Sequence, residues 1–257
     1  RMDLTLEVVP PLPLGVCVAG TQGTIGYMIQ QSLQNALRDD KVDREVVTLV
    51  TQVRVKENDP SISNPTKFIG KRYSKNEVEA LEIKFGWKMK KQDVDQWRRV
   101  VPSPDPHYVM HGISIRTLVE KGTIVLAAGG GGIPVYNDKN NKLEGLDAVI
   151  DKDLTAAKLG WVIRAQEYYI ITDIDQVYLY FKTPQQEPIL QMTAAEAKQY
   201  EEEGHFQKGS MGPKIRSAVH FLKHGGSKAV ITNIQNITKA MNNQAGTTIF
   251  PGNLPAA

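Results

Sequence analysis

Four short stretches of this chain carry residues whose types and spacing could do chemistry, and all four concern anions. Gly129-Gly130-Gly131-Gly132-Ile133-Pro134 follows directly on a short apolar run. Consecutive glycines let a backbone approach a ligand closely and can turn several N–H groups toward negative charge; the same run also serves as a tight, permissive turn. No Gly-Lys-Ser/Thr follows it and the spacing is not GxGxxG, which excludes a Walker loop and a dinucleotide fingerprint here. Asp151-Lys152-Asp153 opens an apolar helical pattern. Either aspartate can cap helix N–H groups, the ordinary role for an acid there. A lysine does the opposite: it adds charge to a positive helix end, at a cost of roughly 0.3–1 kcal/mol unless an anion offsets it. Lys152 therefore reads as an anion ligand. Gly209-Ser210-Met211-Gly212-Pro213-Lys214 repeats the arrangement, with Pro213 suited to a first helical turn and Lys214 beside it. A glycine-rich entry, a helix N-terminus and a lysine together make a phosphate site. Finally, Thr172-Asp173-Ile174-Asp175 ends an apolar strand pattern. Its acids belong either to a solvated turn or to a site where Asp173 orients lysines, meets a nucleotide or helps to hold Mg²⁺.

The elements that must position these groups alternate along the chain. Strands are predicted at 46–55, 124–128, 168–172, 229–232 and 247–250, and helices at 25–37, 114–121, 154–165, 194–203 and 214–223. This order predicts an α/β chain: a three-layer αβα sandwich with a mostly parallel sheet, whose ligands bind beyond the carboxyl ends of the strands. Residues 56–104 interrupt the alternation with glycines, prolines, many charges and two aromatic anchors, Trp87 and Trp97. They read as an inserted small subdomain or lid within a single domain spanning 1–257.

Composition bounds the rest. The chain has 257 residues, 41% of them hydrophobic and 23% charged, and its net charge is +3. Its 31 lysines and arginines are dispersed among 28 acids, so a few lysines facing a small phosphate-bearing ligand explain the excess better than nucleic acid. No apolar stretch reaches the length of a membrane span. The single cysteine, Cys17, cannot close an internal disulfide, which fits a reducing cytoplasm, and reads as a packed small residue. The five histidines show no metal spacing; His220 and His224 lie four apart near a predicted helix end.

Taken together, the motifs resemble those of the carbamate kinases, within the amino-acid kinase fold. The segments that carry the likeness are GTQGTIGYMIQQSLQNAL (20–37), VTLVTQVRV (47–55), NDPSISNPTKFIG (58–70), WRRVVPSP (97–104) and AAGGGGIPV (127–135). AVIDKDL (148–154), ITDIDQVY (171–178), EEGHFQKGSMGPK (202–214), AVITN (229–233) and AGTTI (245–249) complete it. The resemblance implies a cytoplasmic, homodimeric enzyme catalysing ATP + carbamate ⇌ ADP + carbamoyl phosphate with Mg²⁺, often run toward ATP in arginine fermentation. It implies that Lys152 and Lys214 contact the transferred and neighbouring phosphates, that Lys67 reaches in from the lid, and that Asp153 organises the lysines. Gly129, Gly130, Gly131 and Gly132 would line the reacting centre. Ser210, Met211, Asp173, Asp175 and Tyr178 would border the nucleotide.

The chemistry agrees with this assignment. An anionic carbamate oxygen must attack an anionic phosphoryl group, so catalysis is mainly charge neutralisation and in-line positioning. At a ceiling of about −1.5 kcal/mol per heavy atom, carbamate's four atoms gain roughly 6 kcal/mol, no better than tens of micromolar, so the nucleotide supplies most of the binding. A lid carrying Lys67 would close over such a small acceptor. With no ligand bound, the two ammonium groups are expected to repel each other, so replacing Lys214 by Met should leave the empty protein as stable or more stable.

The chain departs from the family pattern in places. The family's GGN-type loop and GNGPQVG loop are not in this sequence, and the resemblance implies that a βα unit bearing the first precedes Arg1. Gln92-Asp93-Val94-Asp95-Gln96 replaces an acidic-Gly-Arg-Gly run, and Thr21 stands where the family usually has Ser. Lys158, Gly160 and Trp161 occupy helix positions where small or acidic residues are usual. Two other readings stay open: a member of the wider family with a different small acceptor, and a non-catalytic relative that binds nucleotide or dimerises.

Overall fold

A computed structural model describes residues 11–206 and 210–252. The chain divides into two compact units, one of residues up to Met110 with Ile124–Asp151, the other of His111–Thr123 with residues from Lys152 onward.

The first unit opens with α1 (Leu14–Asp39), which starts eleven residues before the helix predicted at 25–37. Gly15, Gly20, Gly23 and Gly26 lie inside it, each costing about 1 kcal/mol of helix propensity relative to alanine. Packing overrides that cost at Gly26, where a Cβ would overlap the Thr48 side chain, so this glycine lets helix and strand meet closely; at Gly20 and Gly23 a Cβ would meet nothing within 4 Å. The expected strand 46–55 is two strands, β1 (Val46–Leu49) and β2 (Gln52–Arg54). The break falls at Thr51, whose N–H donates to the Gln22 side chain at 2.7 Å and not to a neighbouring strand.

Residues 56–104 hold α2 (Pro60–Ser63), β3 (Lys67–Tyr73), α3 (Lys75–Phe85), β4 (Lys88–Asp93) and β5 (Gln96–Val101). The strands make an antiparallel sheet in the order β3-β5-β4. Ser74 and Glu77 make a reciprocal capping box at the start of α3, and Gly86 ends the helix with φ 64°. Phe85 and Trp87 rings pack 5.0 Å apart, and the Arg99 guanidinium lies 4.8 Å over Trp87. Gln92–Gln96, the run that departs from the family pattern, is the β4–β5 hairpin tip, with Asp95 at φ 54°. The unit is completed by β6 (Tyr108–Val109), β7 (Ile124–Ala127), β8 (Ile133–Asn137) and β9 (Leu143–Gly145). β1 pairs with β7 in parallel; β2 pairs with β8 in parallel and with β6 antiparallel; β9 closes antiparallel on β8.

The second unit holds α4 (Gly112–Glu120), α5 (Lys152–Val162), β10 (Glu167–Thr172), β11 (Val177–Leu179), β12 (Glu187–Ile189), β13 (Gln191–Thr193), α6 (Ala194–Glu202), α7 (Met211–Lys223), β14 (Lys228–Asn233), α8 (Ile237–Met241) and β15 (Thr247–Phe250). Its main sheet runs β10-β14-β15-β13. In this sheet the β10–β14 and β13–β15 pairs are parallel and β14–β15 is antiparallel, so the parallel segments expected are present within a mixed arrangement, and antiparallel pairs are the more numerous over all the described strands. Ala157, Ile170, Ile215, Ala218, Phe221, Ala229, Ile231 and Ile249 are all buried in one core that locks α5 and α7 to this sheet. Gly160 belongs to that packing: a Cβ there would come within 2.9 Å of the Phe221 ring. The glycine that looks unfavourable by helix propensity is required by the close approach of the two helices.

Candidate active site

In the second unit, α5 runs into β10 and α7 into β14 through connections of four residues each, so both helices return along their strands and both N-termini face the strands' carboxyl ends. Lys152 is the first residue of α5, and Lys214 lies in the first turn of α7. Asp153 joins them: its Oδ2 accepts from Lys214 Nζ at 2.9 Å and from Lys152 Nζ at 3.4 Å. The Asp153 and Lys214 side chains are buried, at 8% and 10% exposure, while that of Lys152 is 61% exposed. Among the described residues Asp153 is the only ion-pair partner of either lysine. The Tyr168 hydroxyl donates to the Asp153 carbonyl at 3.0 Å, fixing the start of α5 against β10.

One carboxylate oxygen shared by two ammonium groups leaves net positive charge beside two positive helix ends. This also reverses the stability expected for loss of Lys214. The lysines do not simply repel each other; Asp153 lies between them, and removing Lys214 would take from a buried carboxylate the nearer of its two lysines.

On the same unit Asp173 and Asp175 lie in the turn after β10. Asp173 accepts from the Thr172 hydroxyl at 3.0 Å, and Asp175 accepts from the Tyr178 hydroxyl at 3.0 Å. The Tyr178 phenol is pushed above its ordinary pKa, first by burial and also by Asp175, although its hydrogen bond from Gln176 works the other way. Ser210 is the residue before α7 and makes no side-chain cap there; Met211 packs on the core. Gly209 lies outside the described residues.

The first unit carries Lys67 and the glycine loop. Lys67 begins β3, opposite Val101 of β5, and has no ion-pair partner among the described residues. The loop 129–132 lines a cavity of about 570 Å³ beneath α1, walled by Cys17, Gln22, Ile25, Leu49 and Leu126 among others. Lys67 does not line it. The N–H groups of Gly129, Gly130 and Gly132 donate within the loop, to Ala127 O at 2.8 Å and to Ala128 O at 2.6 and 3.0 Å. They are not turned outward as an anion nest. The loop glycines have other reasons to be glycine. Gly129 and Gly132 have φ of 60° and 86°. A Cβ on Gly131 would strike the Ile150 carbonyl, and one on Gly132 the Val53 side chain. Gly130 differs: its φ is not positive and an added Cβ would meet nothing within 4 Å.

Sequence reasoning missed the glutamines of α1. Gln22, Gln30 and Gln34 share one face of α1, and their amides bond the backbone of 44–51: Gln34 to Arg44 O and Val46 N, Gln30 to Thr48 N, and Gln22 to Thr51 N and O. Their spacing at multiples of four, in register with Gly26, was the available signal.

The amino acid kinase family profile matches residues 13–233. A carbamate kinase of Pyrococcus horikoshii is 42% identical over 96% of this chain and 78% of its own length. The chain belongs to the carbamate kinases of the amino acid kinase family. A Trichomonas vaginalis carbamate kinase is 44% identical over 95% of the chain and 78% of its own length. A solved carbamate kinase from Giardia lamblia bound to AMP-PNP superposes with a TM-score of 0.90 at 34% identity, covering 97% of this chain and 79% of that one. The fold is thus the family's, as the resemblance implied.

Proposed function

We propose that this protein is an ATP:carbamate phosphotransferase, interconverting ATP and carbamate with ADP and carbamoyl phosphate. The observation that carries this reading is the Lys152–Asp153–Lys214 cluster at two helix N-termini. A carbamate oxygen attacks the γ-phosphorus while the bond from that phosphorus to the β–γ bridging oxygen breaks, and ADP leaves with the bonding pair. Both reactants are anions, so the protein's work is to neutralise and align. Lys214, held by the buried Asp153, is preorganised toward phosphate, and Lys152, mostly exposed, is available to the second phosphate group. Lys67 would meet the transferred group from the inserted subdomain, and Gly129–Gly132 would border the acceptor. Asp173, Asp175, Tyr178, Ser210 and Met211 would border the nucleotide.

Among the described residues no group of three or more His, Cys, Asp or Glu side chains could hold a metal ion. Mg²⁺ would enter with the nucleotide, as MgATP or MgADP. No described helix is long and apolar enough to cross a membrane. The reading is completed by a cytoplasmic homodimer, which size measurement of the purified protein would test. The reaction itself is tested by supplying full-length protein with carbamoyl phosphate and MgADP and measuring ATP. ATP formation dependent on both substrates is expected; none from folded, nucleotide-binding protein would contradict it.

A further inference from the structure

We infer that Gln22 and Thr51 are positioning residues that set the shape of the glycine loop and, through it, the placement of the acceptor. The inference rests on the reading above for what the loop binds. Thr51 is 1% exposed and Gln22 4% exposed, so both are polar groups withdrawn from water. Every polar atom of Thr51 is engaged. Its N–H donates to Gln22 Oε1 at 2.7 Å, and its carbonyl accepts from Gln22 Nε2 at 3.2 Å. That carbonyl also accepts from Ile133 N at 2.9 Å. Its hydroxyl donates to Leu49 O at 2.8 Å and accepts from Ala128 N at 3.0 Å.

Ala128 and Ile133 are the residues flanking the four glycines, so one threonine holds both the entry and the exit of the loop. The entry needs holding. Ala128 has φ 65°, a conformation an alanine adopts only where its surroundings impose it. Gln22 acts twice: its amide reads both polar groups of the Thr51 peptide, and its Cγ fills the space where a Cβ on Gly129 would lie, 2.6 Å away. A buried, fully satisfied polar network of this kind fixes geometry because any slip leaves a donor or acceptor unpaired. Neither side chain is needed merely to fill space, for which an apolar residue would serve.

The test uses full-length protein carrying Thr51→Val, which keeps the shape and loses the hydroxyl, with Thr51→Ser as the conservative variant and Gln22→Met as a second route to the same effect. Turnover with carbamoyl phosphate and MgADP, MgADP affinity, and amide exchange at 128–133 are measured for each. Misplacement by about 1 Å can cost on the order of a hundredfold in rate. Thr51→Val and Gln22→Met should therefore lose ten- to a hundredfold in kcat/KM for carbamoyl phosphate, with loop amides exchanging faster and ADP affinity within about threefold of wild type. Thr51→Ser should restore turnover to within about threefold, on the same scale. Turnover by Thr51→Val equal to wild type, a Ser variant as impaired as the Val variant, or unchanged loop exchange would each overturn the inference. If wild type makes no ATP, the reaction reading fails instead, and the exchange measurements still decide whether Thr51 holds the loop. A Val variant that does not fold leaves Gln22→Met and the Ser variant to decide.

Discussion

Gly130→Ala separates a glycine needed for folding from one needed for a ligand. At Gly129, Gly131 and Gly132 either a positive φ or an overlapping Cβ explains the residue. At Gly130 neither does. An alanine there costs the folded state nothing in contacts and reduces the freedom of the unfolded chain, which stabilises by about 0.4–1 kcal/mol at a compatible site. For a chain of this size that is a rise in melting temperature of about 1–4 °C. On the proposed reading, the methyl group would occupy the space over the loop that the acceptor enters. A hundredfold fall in kcat/KM for carbamoyl phosphate, about 2.7 kcal/mol of transition-state stabilisation, is the expected size. Thermal unfolding beside the ATP-forming assay gives both numbers on one preparation. Gly131→Ala is the control, since its Cβ collides with the Ile150 carbonyl and should lower the melting temperature. A Gly130→Ala protein that melts higher and turns over like wild type would refute the argument that this glycine leaves room for a ligand.

Other outcomes follow from single contacts. Lys214→Met should destabilise the unliganded protein by up to roughly 3–5 kcal/mol, moderated by the remaining Lys152, and chemical denaturation should show it; equal or greater stability would mean Asp153 does not depend on Lys214. Gly160→Ala should also destabilise, because the Phe221 ring must move, although alanine is the better helix former; a gain in stability would refute the close-packing argument. His220, half-buried and stacked 4.1 Å from His224, is held down to about 4 by burial first and then by the charges of His224, Lys158 and Lys223. Its unfolded pKa is near 6.5, so between those values the unfolded chain binds more protons and stability falls as pH drops from about 6.5 to about 4. Urea unfolding at pH 7 and pH 5 should show a steeper loss for wild type than for His220→Gln. Asp147→Ala removes the partner of Arg99, at 2.8 Å, and of the Leu14 N–H, at 2.9 Å. It should speed amide exchange across 67–101 without changing it in 167–233.

Much of the fold is legible in the sequence because periodicity and helix-start chemistry are local. Lys152 and Lys214 announce themselves by opening helices with the wrong charge, and each expected strand and helix has its counterpart. What is not legible depends on contacts distant in sequence. The strand 46–55 looks continuous, since nothing in Thr51 itself shows that Gln22, 29 residues earlier, takes its N–H. The glutamines of α1 attract no notice in the sequence, because an amide ladder to a strand has no pattern apart from its spacing. Gly160 looks unfavourable until Phe221 is seen against it. The glycine loop looks like an anion nest, and only the hydrogen bonds made inside it show that close approach is the property it offers.

The measurement that bears most directly on the account is phosphoryl transfer by Lys152→Met and Asp153→Asn in the full-length protein, followed as ATP formed from carbamoyl phosphate and MgADP. Lys152 is 61% exposed and contributes little to packing, so its variant should fold and melt like wild type while losing at least a hundredfold in kcat, about 2.7 kcal/mol. Asp153→Asn should lose turnover as well, because both lysines lose their shared anchor. Wild-type kcat from folded Lys152→Met would contradict the central claim that the paired lysines at the two helix ends carry the reaction.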